Sequence, residues 1–122
     1  MGPLGVVEAW QQAVNAGDGE RLVAVSSPDI AVGGPRGSGH GPALLREWLA
    51  HAGIQLQPLR WFSGADGAVV VEQNARWNGG DSLRLASSFL VAGGVLTRFF
   101  RHDDLAAALA ATRLRMADEV RR

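Results

Sequence analysis

The hydrophobic pattern of this sequence changes its period after Gly53. Before this glycine, apolar residues recur at the spacing that places them on one face of a helix. After it they alternate with polar residues, as in strands that bury one face. The change predicts a mainly helical N-terminal half and a C-terminal half made of a sheet. Because the strands are grouped late and joined by short turns, we expect an α+β domain with antiparallel strands and with its helices on one face of a curved sheet.

The N-terminal half contains three predicted helices and one short strand. The first helix spans residues 3–16, Asp18 caps the second, and Pro42 begins the third. A short strand is predicted around Val32. Five glycines fall within residues 33–41, which we interpret as a loop.

The C-terminal half contains four predicted strands. They are separated by turns at residues 64–67, 78–81 and 93–94, and Pro58 in the first strand marks a bulge or an edge position. A tail helix follows, and we expect residues 113–122 to be frayed.

The composition narrows the possible partners. The 122 residues carry 12 basic and 12 acidic side chains and no cysteine. A net charge of zero without an interior basic cluster argues against nucleic acids and anionic membranes as partners. No apolar run approaches the roughly 18 residues of a membrane span. We expect one cytoplasmic domain covering residues 1–122, without disulfides.

The order of these elements resembles the SnoaL-like branch of the nuclear transport factor 2-like superfamily, which has the steroid-isomerase-like cone fold. The resemblance covers nearly the whole chain and depends on five short segments: Asn-Ala-Gly-Asp at 15–18, Pro-Asp-Ile at 28–30, Gly-His-Gly at 39–41, Leu-Leu-Arg-Glu-Trp at 44–48 and Gly-Val-Leu-Thr-Arg at 94–98. It implies a cone-shaped, curved antiparallel sheet with three N-terminal helices on its concave face and a C-terminal tail helix. It also implies a pocket between helices and sheet, and a homodimer.

The catalytic residues of the superfamily are not matched in this chain. Steroid isomerases carry an Asp before the Pro that ends the first strand, but here Gly34 precedes Pro35. Their oxyanion hole uses a Tyr and a protonated Asp; this chain has no Tyr, and Ser87 stands at the Asp position. Epoxide hydrolases have charged residues that face the pocket, but here Glu72 and Arg76 lie at the strand positions opposite to the apolar face. The Tyr residues of the scytalone dehydratase site are also absent.

Nine residues are candidates for lining a pocket. Most are aromatic or aliphatic residues with core-facing parity, and two are polar residues on core-facing strand positions, where a polar group needs a partner. The candidates are Val32, His40, Trp48, Trp61, Gln73, Trp77, Ser87, Phe89 and Phe99. Gln73 is alternatively a buried amide satisfied within the protein.

The histidines and nearby charges have structural as well as functional interpretations. His40 could act as a general base at the pocket, or it is simply a loop residue. His51 lies near a helix C-terminus, where it is expected to interact favourably with the helix dipole. Asp103 or Asp104 caps the tail helix rather than binding a metal with His102, and Arg36 is expected to be solvated. We expect no metal and no cofactor.

Three hypotheses about function follow. The first is a protein that binds a small apolar ligand without a catalytic constellation. The second is a lyase or isomerase in which His40 transfers a proton, with Gln73 or Ser87 polarising a carbonyl. The third is a non-catalytic dimerisation module with a filled core. A homodimer would use the outer sheet face, where Val70, Leu90 and Phe100 are predicted to lie.

Overall fold

The computed structural model describes residues 1–35 and 37–122, so the expectation for Arg36 lies outside the described residues. The described chain contains four α-helices, one short 3-10 helix and seven strands. In chain order they are α1 Pro3–Ala16, α2 Gly19–Ala24, β1 Ser26–Gly34, β2 Gly37–His40, α3 Pro42–Ala52, β3 Ile54–Ser63, β4 Ala68–Trp77, β5 Ser82–Ala92, β6 Val95–His102, α4 Leu105–Thr112, the 3-10 helix Met116–Asp118 and β7 Glu119–Val120.

Several local predictions are confirmed. The first helix has the predicted bounds, and the Asp18 carboxylate accepts a hydrogen bond from the Arg21 backbone amide at 3.1 Å, as a helix cap does. The pairing register of β3 shifts between Pro58 and Arg60, which is the predicted bulge.

The strands form one mixed sheet in the order β2-β1-β6-β5-β4-β3-β7. In the described chain, β1 runs parallel to β6, and the other neighbouring strands are antiparallel. The prediction of a purely antiparallel sheet is therefore wrong at one position. The connection from β1 to β6 passes through one helix and four strands, so no tight turn sets the direction of this pair.

The glycine-rich residues 33–41 are not a loop throughout, which corrects the sequence interpretation. Gly37–His40 forms β2 and pairs with β1 as a hairpin. Gly33 is required for this close packing, because a Cβ atom there would lie 2.9 Å from both the Phe100 ring and Ser38 Cβ. Glycine lowers the intrinsic preference for a strand, but here it permits close approach to the neighbouring strand.

The main core lies between α1–α3 and one face of the sheet, which we call the inner face. α1 packs against β3, β4, β5 and β6, whereas α2 and α3 pack against each other and against β1. Trp10 of α1 is fully buried at the centre of this core. Leu22 of α2 and Leu45 of α3 contribute the fully buried side chains of the two shorter helices.

The opposite, outer face of the sheet is partly covered by α4. Ala108 and Leu109 of this helix form a second buried cluster with Phe62, Val70 and Ala86 of the sheet. The outer face predicted as a dimer surface has therefore lost Val70 and Ala86, both 0% exposed, to the chain's own helix. Local sequence did not indicate which face an alanine-rich helix would cover.

The exposed apolar area left on the outer face is small. Leu90 is 37% exposed, whereas Ser88 is buried and the Arg98 guanidinium lies 4.3 Å from the centre of the Phe100 ring.

No helix in the described residues is long and apolar enough to cross a membrane.

The C-terminal residues are held against β3, although we expected residues 113–122 to be frayed. β7 pairs with β3, and the Arg60 guanidinium donates two hydrogen bonds to the Glu119 carboxylate at 2.7 and 3.0 Å. Arg122 also lies 3.3 Å from the Glu8 carboxylate of α1. The short strand covers a sheet edge that would otherwise be unpaired.

His102 lies on the outer face with its Nε2 atom 2.8 Å from the Ser88 hydroxyl. Burial lowers the pKa of His102 below its ordinary value of 6.5, and the positive charge of Arg98 lowers it further. Asp103 and Asp104 raise the pKa but do not outweigh burial. The folded protein therefore favours neutral His102.

Truncation of Phe62 tests the packing of α4. We predict that Phe62→Ala lowers the free energy of unfolding by about 3–5 kcal/mol, because it removes a fully buried ring. Leu90→Ala on the uncovered part of the same face should cost no more than about 0.5 kcal/mol. Urea unfolding followed by circular dichroism measures both, and equal costs would contradict the buried interface under α4.

Protonation of His102 should destabilise the protein. The unfolded chain binds this proton more readily than the folded protein, so we predict that the free energy of unfolding decreases as the pH falls from about 7 to about 5. The loss is complete once the pH is below the pKa of the folded state. His102→Gln should remove part of this dependence in urea titrations at several pH values. If the free energy of unfolding of the variant depends on pH as it does in the native protein, His102 is not the source of the pH dependence.

Candidate functional site

A cavity of about 590 Å³ lies between α3 and the inner face of the sheet. Leu44 and Trp48, four residues apart on α3, both face it, as the helical repeat requires. The opposite wall comes from the ends of β1, β4 and β6 and the starts of β3 and β5. Its other apolar lining residues are Val32, Ile54, Leu56, Trp77, Leu85 and Phe99.

Stacked aromatic rings close the cavity on one side. Trp48 stacks on Trp10 with ring centres 6.0 Å apart and planes 16° apart. Phe99 contacts both rings, at 4.5 Å from Trp10 and 5.7 Å from Trp48. Trp48 and Phe99 therefore have one side in the core and another on the cavity. The rings do not fill the space: Trp77 lines another part of the cavity, and Trp61 is not among the lining residues.

A chain of three buried polar side chains forms part of the cavity wall. The Gln11 amide donates to Gln73 Oε1 at 2.8 Å, and the Gln73 amide donates to the Ser87 hydroxyl oxygen at 2.8 Å. The Ser87 hydroxyl can also donate its hydrogen, which has no acceptor in the part of the chain that the structure describes. Gln73 and Ser87 line the cavity, so this wall can offer one hydrogen-bond donor to a ligand.

Gln73 is thus the satisfied buried amide that the alternative interpretation predicted, and it also lies on the cavity wall. Its partner Gln11 was not among the sequence candidates. The helical repeat could have indicated it, since Gln11 follows the core residue Val7 by four positions and shares its face.

Arg101 is the lining residue that sequence analysis missed. It follows Phe99 by two positions on β6 and pairs with Ser87 of β5 in the strand register, so all three share the inner face. The Arg101 guanidinium carbon lies 5.2 Å from the centre of the Trp77 ring. Its Nε atom is buried without a hydrogen-bond partner among the described residues. The sequence could have indicated Arg101 through its position two residues after Phe99, because alternate residues of a strand share a face.

The cavity opens to solvent beside Arg101. The exposed lining residues at this opening are Pro35, Gly37, Ser38, Leu44 and Asp103. Gly34 also lines it, and a Cβ atom there would lie 3.6 Å from Arg101 Cβ, an ordinary contact. The structure therefore leaves room for a Cβ atom at position 34.

The structure brings six of the nine candidates to the cavity and leaves three outside it. The lining candidates are Val32, Trp48, Gln73, Trp77, Ser87 and Phe99. Phe89 belongs to the core beside Trp10, at 5.4 Å. Trp61 lies near the C-terminus, where the Arg122 guanidinium is 5.9 Å from its ring.

His40 is exposed on β2 and does not line the cavity. The hypothesis that it transfers a proton to a ligand held beside Gln73 therefore lacks its geometric basis. The sequence analysis placed His40 at the pocket because it assigned residues 33–41 to a loop before the third helix, whereas residues 37–40 form β2.

The remaining charged candidates have structural partners. The Asp104 carboxylate accepts a hydrogen bond from the Ala107 backbone amide at 2.8 Å and caps α4, as predicted. Glu72 lies 4.0 Å from Arg60, a residue that is not in the cavity lining. His51 Nδ1 is 2.9 Å from the Glu47 carbonyl oxygen.

This chain is similar to known proteins in its three-dimensional structure. No protein-family profile and no curated protein matches this chain. An NTF2-like protein of unknown function from Cytophaga hutchinsonii ATCC 33406 is similar at 13% identity and a TM-score of 0.76, over 83% of this chain and 88% of that one. An NTF2-like protein from Burkholderia xenovorans LB400 has 22% identity and a TM-score of 0.68, over 90% and 95% of the two chains.

A computationally designed 17-OHP binder is also similar, with 16% identity and a TM-score of 0.74, over 87% of this chain and 94% of that one. At these identities the comparisons establish the fold and not the chemistry of the site. This chain has the NTF2-like fold, as its resemblance to the SnoaL-like branch of that superfamily implied.

Proposed function

We propose that this protein binds a small, largely apolar molecule in the cavity between α3 and the inner face of the sheet. The observation that carries the proposal is the cavity itself. Its volume of about 590 Å³ falls within the range of about 300–1,000 Å³ that is typical of small-molecule sites. Its lining is mainly apolar and aromatic, with a few polar groups on one wall, which is the usual composition of such sites.

The cavity wall suggests how a ligand would be held. A flat apolar ligand could lie against Trp48 and Phe99, whose rings are supported from behind by Trp10. The Ser87 hydroxyl would then orient it by donating to one ligand oxygen. Because Gln11 and Gln73 hold this hydroxyl in position, little side-chain freedom is lost when the ligand binds.

The similarity to a designed 17-OHP binder supports this proposal at the level of the fold. That protein is described as a binder of a small molecule, so this architecture can accommodate one. Its identity of 16% to this chain carries no information about which molecule this chain binds.

Binding without catalysis is the better-supported form of the proposal. Gly34 stands where steroid isomerases have their catalytic carboxylate, and the exposed His40 is not among the residues that line the cavity. The dimerisation hypothesis has less support than it had from sequence alone, since it required a filled core and a free outer face. α4 covers part of that face.

Blocking the mouth of the cavity tests the proposal. Leu44 at the mouth is 38% exposed, and Leu90 on the outer face is 37% exposed, so they form a matched pair. We predict that Leu44→Trp weakens binding of the neutral aromatic probe 4-phenylbenzyl alcohol at least about tenfold, because the indole occupies ligand space. Leu90→Trp should leave the affinity unchanged. Isothermal titration calorimetry measures the dissociation constants, and circular dichroism checks folding.

Two outcomes would contradict binding in this cavity. One is that the native protein does not bind the probe at millimolar concentration. The other is that Leu44→Trp and Leu90→Trp bind it equally well.

A further inference from the structure

We propose that the cavity selects ligands that carry a carboxylate group, and that Arg101 is the residue that determines this preference. The inference rests on the proposed function, since it assumes that a small molecule enters the cavity. It narrows the ligand class to aromatic or other flat apolar carboxylates, with the apolar part among the rings and the acid beside Arg101.

The first support is that Arg101 has no hydrogen-bond or ion-pair partner among the described residues. Its Nε atom is buried without a hydrogen-bond acceptor in residues 1–35 and 37–122. The ion pairs in that part of the chain belong to Arg60 and Arg122, not to Arg101. A buried donor without an acceptor is costly. Among the described residues Trp10 Nε1 and Gln11 Oε1 are also buried without a partner, but of these three residues only Arg101 is charged and lines the cavity, where a ligand oxygen could accept from its guanidinium.

The second support is the position of the guanidinium. It lies 5.2 Å from the centre of the Trp77 ring, within the range of a cation–π contact. An aromatic neighbour holds the cation through its face without using the N–H donors, which stay available for an acceptor. The planar fork of arginine matches the two oxygens of a carboxylate, so the bound group can accept two parallel hydrogen bonds.

The third support is the neighbour across the strand. Ser87 and Arg101 are register partners on β5 and β6. Their Cβ atoms are therefore about 4.5–5.5 Å apart on the same face. One carboxylate can accept from the Arg101 guanidinium and from the Ser87 hydroxyl, whose oxygen already accepts from Gln73. Two donors at this spacing can both reach the oxygen atoms of a single carboxylate group.

The surrounding charges favour a single negative charge. Arg101 is the only basic residue among the lining residues that the structure describes, and the acidic Asp103 lies at the exposed mouth. A phosphate monoester carries about −1.5 to −2 charges at neutral pH and is normally bound by more than one cation or by helix amides. A carboxylate needs only one cation, and Arg101 supplies one among the described lining residues.

Gly34 keeps the guanidinium accessible. Position 34 lies beside Arg101 on the neighbouring strand, and an added Cβ would make only an ordinary contact at 3.6 Å. A carboxylate introduced there should therefore pair with Arg101 and compete with the ligand. Gly34→Asp tests the charge of Arg101 without removing its side chain or its contact with Trp77.

The test compares two ligands that differ only in charge, 4-phenylbenzoate and 4-phenylbenzyl alcohol, by calorimetry at neutral pH. We expect the native protein to bind the carboxylate at least about tenfold more tightly than the alcohol. Arg101→Met and Gly34→Asp should each weaken carboxylate binding about tenfold or more and lower the ratio of carboxylate to alcohol affinity by a similar factor.

Arg98→Met is the matched control, because Arg98 lies on the same strand and contacts an aromatic ring, Phe100, on the outer face. It should leave the preference intact. The proposal is overturned if the native protein binds both ligands equally, or if the preference persists in Gly34→Asp and in a folded Arg101→Met. Alcohol binding that is blocked by Leu44→Trp in the same experiment would then show that the proposed function stands without the charge preference.

Discussion

Trp10 joins the helical layer of this protein to its sheet. Its fully buried indole contacts Trp48 of α3, Phe89 of β5 and Phe99 of β6, with ring centres 6.0, 5.4 and 4.5 Å away. Aromatic pairs at these separations add to the free energy gained by burial alone. The cavity begins where this cluster ends, since Trp48 and Phe99 belong to both. The shape of the site thus depends on the same packing that holds α1 and α3 to the sheet.

The site combines this apolar cluster with a polar strip on the facing wall. Gln11, Gln73 and Ser87 are linked by hydrogen bonds of 2.8 Å and lie away from water. Such a network fixes side-chain positions when its members are paired. Arg101 continues the strip to the mouth but lacks a partner there among the described residues. Gln73 is paired through both its amide oxygen and its amide nitrogen, whereas Gln11 Oε1 and Arg101 Nε have no hydrogen-bond partner among the described residues. Of Gln11 and Arg101, only Arg101 lines the cavity and carries a charge, so it is the one available to a ligand.

Much of this arrangement could be predicted from local pattern, and the rest depends on long-range pairing. The alternation along β4 and β5 identified Gln73 and Ser87 as inward-facing, because strand parity is a local property. The parallel pairing of β1 with β6 joins segments far apart in sequence, and no short-range signal encodes it. For α4, an alanine-rich sequence gives no strong apolar stripe to indicate which face of the sheet it covers. Arg101 was predictable from its position two residues after Phe99, but charged residues are usually exposed, so strand alternation alone does not single it out as a lining residue.

Chemical-shift mapping of the labelled protein during titration with 4-phenylbenzoate tests the central claim that this cavity is the ligand site. The account predicts that the largest changes occur at the indole N–H of Trp48 and Trp77, at the Ser87 amide and at the Arg101 Nε–H. Resonances of Leu90 and Arg98 on the outer face should not change. Changes centred on the outer face, or no saturable change at the cavity residues, would contradict it.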